Sequence, residues 1–566
     1  MVELQPIFKK AYWTLAAGGL VYVSFICALT WPNVQRFALY ANKVNPALWE
    51  DVNQVERFGF LKTQVQPFNL VTPDNETIYG WHLLPLHLCH EHEEELNANE
   101  PSGPAEDYTR TSAFKFLAND PNARVVVNFH GNAAHLGSAQ RPEIYRMLLG
   151  LSTPSNPVHV FAIDYRGFGV STGSPTEEGL ITDGVSLINF LTAGPLNIPP
   201  SRIVITGQSL GTAVSAAVAE RYAFGSPDPA AVQPAIKDPE PFAGVILLAS
   251  FSNLRNLIES YSFKGLTPPM LSPLIGYPRV QRWVRSHIVD HWDTAARLAR
   301  LTGVAPSAEE DAKAGYASKD LDLAIVHAFN DVEIPWYEGR SVWIAATGEN
   351  QKDAPGALVY QKKEEGGPTE VKVWENRSGK NGVKKVRWER VGYGGHNRVA
   401  TFSVAALAAL RAFEDQIFQR YANRPDPDQC PGHLLDYAWA HIAVLKTDSY
   451  GDMDIQEAMA RVGLTPQIQS AIADPAFSDM LWTRDLHFWV KDTIETNWAT
   501  LRSRQELLKR HAQGLVPPGE GPAPEAPEPS AISATISVRT QDTTRPPAVS
   551  APYRTPPSYP VDVLEA

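Results

Sequence analysis

The chain predicts an α/β architecture, with a mostly parallel central sheet covered by helices on both faces. Three observations carry that expectation. Short, nearly uninterrupted apolar runs recur at residues 124–129, 158–163, 202–205, 244–248 and 323–327. Helical stretches separate them, as crossover helices would when a parallel sheet is buried on both sides. The composition, 44% hydrophobic and 20% charged over 566 residues, is that of a globular chain. That length suggests about three to four domains.

Charge excludes one class of partner. With 50 basic and 62 acidic residues the net charge is −12, so nothing draws the chain to nucleic acid in general. The three cysteines (Cys27, Cys89 and Cys430) are too few for a disulfide framework or a four-cysteine zinc site. Cys89 with Cys430 is the conceivable pair.

The elements follow in order. Residues 1–10 carry Lys9 and Lys10. Residues 11–31 hold no charge, and as a helix they would reach about 31 Å, enough to cross a bilayer. Tyr12, Trp13 and Trp31 sit at the ends, where interfacial aromatics belong. The apolar run exceeds a signal-peptide core, so an uncleaved single anchor is expected. The basic residues before it favour a cytoplasmic N-terminus, with the bulk of the chain on the far side. Residues 32–59 form a juxtamembrane linker. Residues 60–425 form the α/β domain. It opens with a strand pair at 68–85 turning at Pro73, Asp74 and Asn75. It ends with a hairpin, 370–374 and 384–390, that leads toward His396. Residues 426–514 are patterned as a helical extension. Residues 515–566 form a tail expected to be disordered; 12 of the 50 residues from Pro517 onward are proline. Asn75 and Asn376 begin N-x-[ST] sequons, usable for glycosylation in a secretory lumen.

The chemistry begins at Gly207, Gln208, Ser209, Leu210 and Gly211. This G-x-S-x-G follows a strand and opens an alanine-rich helix, the context that gives the motif meaning. A sharp elbow lifts the serine oxygen above the sheet, and Gly207 and Gly211 are required because side chains there would clash. Serine needs a base, and the base an orienting acid. Asp331 stands in the loop after residues 323–327; Glu333 is the competitor, and Asp331 is favoured because it comes sooner after the strand. His396 follows the last strand and precedes a helix. The backbone N–H groups of Asn132 and Leu210 are the expected oxyanion donors, and His130 is read as a support of that loop.

The segments HGNAAHLG (130–137), DYRGFGVSTGSPTEEGL (164–180), GQSLGT (207–212), VHAFNDVEIP (326–335) and GGHN (394–397) resemble the α/β-hydrolase-domain serine hydrolases. They are most similar to the membrane-anchored lysophosphatidylserine and monoacylglycerol lipase group. The resemblance covers roughly residues 60–425. It implies an α/β-hydrolase fold, Ser209 as nucleophile, Asp331 as orienting acid, His396 as general base and no cofactor. Asp164 and Arg166 match the family pattern and are read as loop scaffolding. The layout also implies an endoplasmic reticulum membrane protein with a lumenal catalytic domain. The stretch 348–390 is longer and more charged than a minimal hydrolase needs.

A lid is expected at 250–300, rich in aromatics, Leu and Pro, which fits a lipid acyl ester. Lys264, Arg279, Arg282 and Arg285 fit either a phosphate head group or a solvated helix face. His82, His87, His90 and His92 lack a metal-ligand spacing, so no metal is expected and the stretch through Pro104 reads as a polar loop. Two other functions remain open: an acyl-protein thioesterase, and a non-catalytic membrane scaffold that recruits a protein partner through the Pro-rich tail.

Overall fold

The computed structural model describes residues 6–422, apart from 45–49, 226–239, 263, 264, 266, 268, 306–318, 380 and 381. The described residues all fall in one unit. The expected helical extension (426–514), the Pro-rich tail and Cys430 lie outside the described residues.

In chain order the helices are α1 (Pro6–Ala28), α2 (Pro32–Tyr40), α3 (Leu86–Glu91), α4 (Glu93–Ala98), α5 (Ser112–Asn119), α6 (Arg141–Leu149) and α7 (Glu177–Thr192). They continue with α8 (Leu210–Phe224), α9 (Leu254–Ser260), α10 (Pro278–Ser286), α11 (Thr294–Leu301), α12 (Trp336–Thr347), α13 (Gly395–Arg398) and α14 (Ser403–Ala422). The strands are β1 (Val65–Val71), β2 (Thr77–Leu83), β3 (Arg124–Phe129), β4 (Val158–Ile163) and β5 (Ile203–Gln208). After them come β6 (Gly244–Leu248), β7 (Leu321–Ala328), β8 (Ala357–Lys363), β9 (Glu370–Gly379) and β10 (Gly382–Val391).

One sheet contains all ten strands, in the order β1-β2-β4-β3-β5-β6-β7-β10-β9-β8. From β4 to β10 neighbouring strands are parallel. The antiparallel pairs sit at the two edges. Alternation sends residues of the same strand to opposite cores. Val125, Val127 and Phe129 pack with Leu180, Leu187 and Val218 from α7 and α8. Val126 and Val204 face Ile144 and Leu148 of α6 and Ala405 and Ala409 of α14. Burial on both faces explains why these strands read as unbroken apolar runs.

The charged stretch 348–390 resolves into the expected hairpin, β9 and β10, plus β8. No strand was expected at β8. All seven of its residues are exposed, so packing imposes no alternation there.

α1 ends at Ala28, short of residue 31. Thr30 Oγ1 caps Cys27 O at 2.7 Å, and Pro32 opens α2. Residues Phe8–Ala28 are long and apolar enough to cross a membrane. Among the described residues of α1 only Ile26 is buried, against Leu271 and Val284.

The polar-loop reading of the histidine-rich segment is corrected. His87 and His90 lie in α3, and His92 links it to α4. Leu88, Cys89 and Leu96 supply the buried side of that pair. His82 lies in β2 and is fully buried. Cys89 is a free, buried thiol.

Candidate active site

Parallel strands place the loops that follow β3, β5, β7 and β10 at one edge of the sheet, where open α/β sheets build their sites. Between β5 and α8 the chain turns within one residue. Ser209 holds φ 56° and ψ −121°, a conformation a non-glycine residue adopts only when its surroundings enforce it. Two close approaches do so. A Cβ on Gly207 would lie 2.1 Å from Gly211 O, and one on Gly211 would lie 2.0 Å from Phe129 O. The elbow can close only with glycine at both positions.

The loop after β10 turns into α13 and presents His396. Its Nε2 is 2.9 Å from Ser209 Oγ, and its Nδ1 is 2.9 Å from Asp331 Oδ2. The second oxygen of Asp331 accepts the N–H groups of Glu333 and Ile334 at 2.9 and 3.0 Å. The carboxylate on His396 is therefore that of Asp331, and Glu333 contributes its backbone to the same turn. This arrangement assigns Nδ1–H to the aspartate and leaves Nε2 to accept the serine proton. Ser209 and His396 are each 9% exposed.

Electrostatics follow from the contacts. Burial disfavours the charged Asp331 carboxylate, but hydrogen bonds from His327 and His396 outweigh it and hold its pKa well below the usual range. Burial would lower the His396 pKa. The Asp331 hydrogen bond and charge reverse that and leave it above 6.5.

Four supporting residues were not singled out from sequence. Gln208 Nε2 donates to His396 O at 3.0 Å. Asn330 Oδ1 accepts Gly395 N–H at 2.8 Å. His327 Nε2 lies 3.3 Å from Asp331 Oδ2 and 2.9 Å from Ile334 O. Arg141 grips the loop after β3. Adjacency was the available signal for Gln208, Asn330 and His327, each within four residues of a motif residue.

Leu210 directly follows the serine. Leu210 opens α8, where the first N–H groups have no intrahelical acceptor. Asn132 lies in the loop after β3. In that loop a Cβ on Gly131 would sit 3.4 Å from the Ser209 Cβ. His130 is buried behind it, with Nε2 3.4 Å from Asp164 Oδ1. Arg166 binds Asp74 (2.6 Å) and Asp183 (2.8 Å).

The sequons differ. Asn75 is exposed at the β1–β2 turn. Asn376 is buried in β9 and its amide donates to Thr302 O at 3.4 Å, a placement less open to a glycan than that of Asn75. Among the described residues no group of three or more His, Cys, Asp or Glu could hold a metal ion.

Comparison with known proteins gives a profile match, to the Alpha/beta hydrolase family, over residues 125–377. Residues 125–377 of this chain are thus similar to that family, and the sheet order is that of an alpha/beta hydrolase fold. The match includes Ser209 and Asp331 and stops short of His396. A lysophosphatidylserine lipase, ABHD12, of Danio rerio is 27% identical over 41% of this chain and 51% of its own length. The Rattus norvegicus protein of the same name is 25% identical over 59% of this chain and 69% of its own. The chain thus spans from about half to about two thirds of these curated relatives. A solved alpha-beta hydrolase from Vibrio vulnificus aligns with TM-score 0.38 at 15% identity, over 67% of this chain and 92% of that one.

Proposed function

We propose that the hydrolase domain is a membrane-anchored serine hydrolase that cleaves lipid acyl esters, of the lysophospholipid or monoacylglycerol type. The observation that carries the reading is the contact of Ser209 Oγ with His396 Nε2 at 2.9 Å, on an elbow that only glycines allow. His396 takes the Ser209 proton as the oxygen attacks the acyl carbonyl. Asp331 holds the imidazole in the accepting tautomer and stabilises the imidazolium. The N–H groups of Asn132 and Leu210 hold the tetrahedral oxyanion. His396 then protonates the departing alcohol, and a water deprotonated by His396 releases the fatty acid. No step calls for a cofactor.

Lipid is favoured by three features. The curated relatives are named lysophosphatidylserine lipases. Phe329, Val332 and Tyr393 stand exposed in the loops that carry Asp331 and His396. A helix able to span a bilayer joins the domain. In this reading α1 anchors the chain in the endoplasmic reticulum with the hydrolase domain lumenal.

A fluorophosphonate probe on membranes containing the full chain tests the proposal. Wild type should label and Ser209→Ala should not. The labelled protein should then hydrolyse lysophosphatidylserine or monoacylglycerol. Folded wild type that takes up no probe would overturn the reading.

A further inference from the structure

We propose that Arg141 is a positioning residue for the oxyanion site, its guanidinium setting the direction of the Asn132 N–H. The inference rests on the serine-hydrolase reading above.

Arg141 opens α6 and is 7% exposed. Nη1 donates to His135 O at 2.5 Å. Nη2 donates to three consecutive carbonyls, Gly131 O at 3.1 Å, Asn132 O at 2.8 Å and Ala133 O at 2.9 Å. Such convergence accompanies a left-handed backbone at Ala133 and Ala134, φ 64° and 56°. Among the described residues, the hydrogen bonds of this side chain all run to backbone oxygens. A buried cation ordinarily has a carboxylate partner. Here Asp164 acts on it from a longer distance.

A trans peptide is planar, so the C=O of one residue and the N–H of the next point in opposite directions. With Gly131 O turned to Arg141, and also 2.7 Å from His130 Nδ1, the Asn132 N–H must point away from both groups, and Arg141 is the one that ties this carbonyl to those of Asn132 and Ala133. The loop lies against the nucleophile, since a Cβ on Gly131 would meet the Ser209 Cβ at 3.4 Å. The same unit is held from its other side. Ala133 N–H donates to Tyr40 O at 2.8 Å, and Asn132 Nδ2 donates to Leu39 O at 3.2 Å. A charged donor on the Gly131 carbonyl also polarises the peptide and strengthens the N–H it shares. The N–H is thereby aimed before substrate arrives, which is the condition for an oxyanion donor to act without reorganisation.

The test uses the detergent-solubilised full chain, with p-nitrophenyl butyrate as reporter ester and a trifluoromethyl ketone as tetrahedral-adduct analogue. Arg141→Met should lower kcat by on the order of 10²-fold with KM nearly unchanged. Ketone affinity should fall in parallel with kcat/KM. Arg141→Lys should lie between, and added guanidinium should restore part of the activity of Arg141→Ala. Melting temperatures report the fold. Folded variants with wild-type kcat overturn the proposal. So does a loss carried by KM alone, or a failure of all three variants to fold even with guanidinium, which would make Arg141 a residue of the fold. An inert wild type overturns the serine-hydrolase reading itself, whereas an active wild type with unaffected variants overturns only this inference.

Discussion

Asp331 is the residue on which the proposed chemistry turns. Its two oxygens divide the work, one held by backbone N–H groups of the loop and one by the imidazole. Because its charge raises the His396 pKa, the pH profile has a definite sign. His396 must be neutral to accept the serine proton. The kcat/KM of wild type should therefore fall as pH drops through a limb lying above pH 6.5. Asp331→Asn should cut kcat by on the order of 10³–10⁴-fold and move the limb to lower pH. Steady-state rates between pH 5 and 9 measure both, and an unmoved limb with full activity would remove Asp331 from the mechanism.

Strands β2 and β4 hold a second polar group inside the sheet edge. His82 Nε2 meets His159 Nδ1 at 2.8 Å, and Tyr108 Oη meets His82 Nδ1 at 2.8 Å. Burial, and secondarily the charge of His87, pushes the His159 pKa down to about 3. In the unfolded chain it returns to near 6.5. Between those values the unfolded state binds the extra proton, so this pair costs stability as pH falls below 6.5. Asp183 works in the opposite sense, since burial raises its pKa to about 6. A difference measurement separates the two. The loss of urea midpoint between pH 7.5 and 5 should be smaller in His159→Gln than in wild type, and equal losses would refute the argument. Sequence pattern made most strands here legible because burial on both faces leaves an apolar signature. The exposed β8 has none, and the helices α3 and α4 are obscured by three histidines and four glutamates whose burial pattern only packing reveals.

The first helices join the membrane reading to the site. Tyr22 Oη donates to Met270 O at 3.1 Å, and Gln35 Nε2 to His287 O at 2.6 Å. Arg36 and Tyr40 both reach Asp290, at 3.0 and 2.9 Å. The expected lid region, 250–300, is thus tied directly to α1 and α2. If α1 spans the bilayer with the domain lumenal, Asn75 should carry a glycan. Its removal by endoglycosidase should shift the gel mobility of wild type but not of Asn75→Gln, while Asn376→Gln should behave as wild type. The protein should stay in the membrane pellet at alkaline pH. An unglycosylated Asn75 in a membrane-bound protein would favour the cytosolic orientation and the thioesterase alternative.

Local chemistry is written in neighbouring residues. The elbow at Ser209 needs only Gly207, Gly211, a strand before and a helix after. The apolar runs of β3 to β7 need only burial on both faces. The chain alone was enough for those. What it could not contain is closure over distance. His396 lies 187 residues from Ser209 and 65 from Asp331 in sequence, and only the parallel order β3-β5-β6-β7-β10 brings their loops to one edge. The choice between Asp331 and Glu333, the burial of Asn376 and the grip of Arg141 on three carbonyls were decided there too. Each depends on which groups face one another after packing, and no single segment of the chain carries that information.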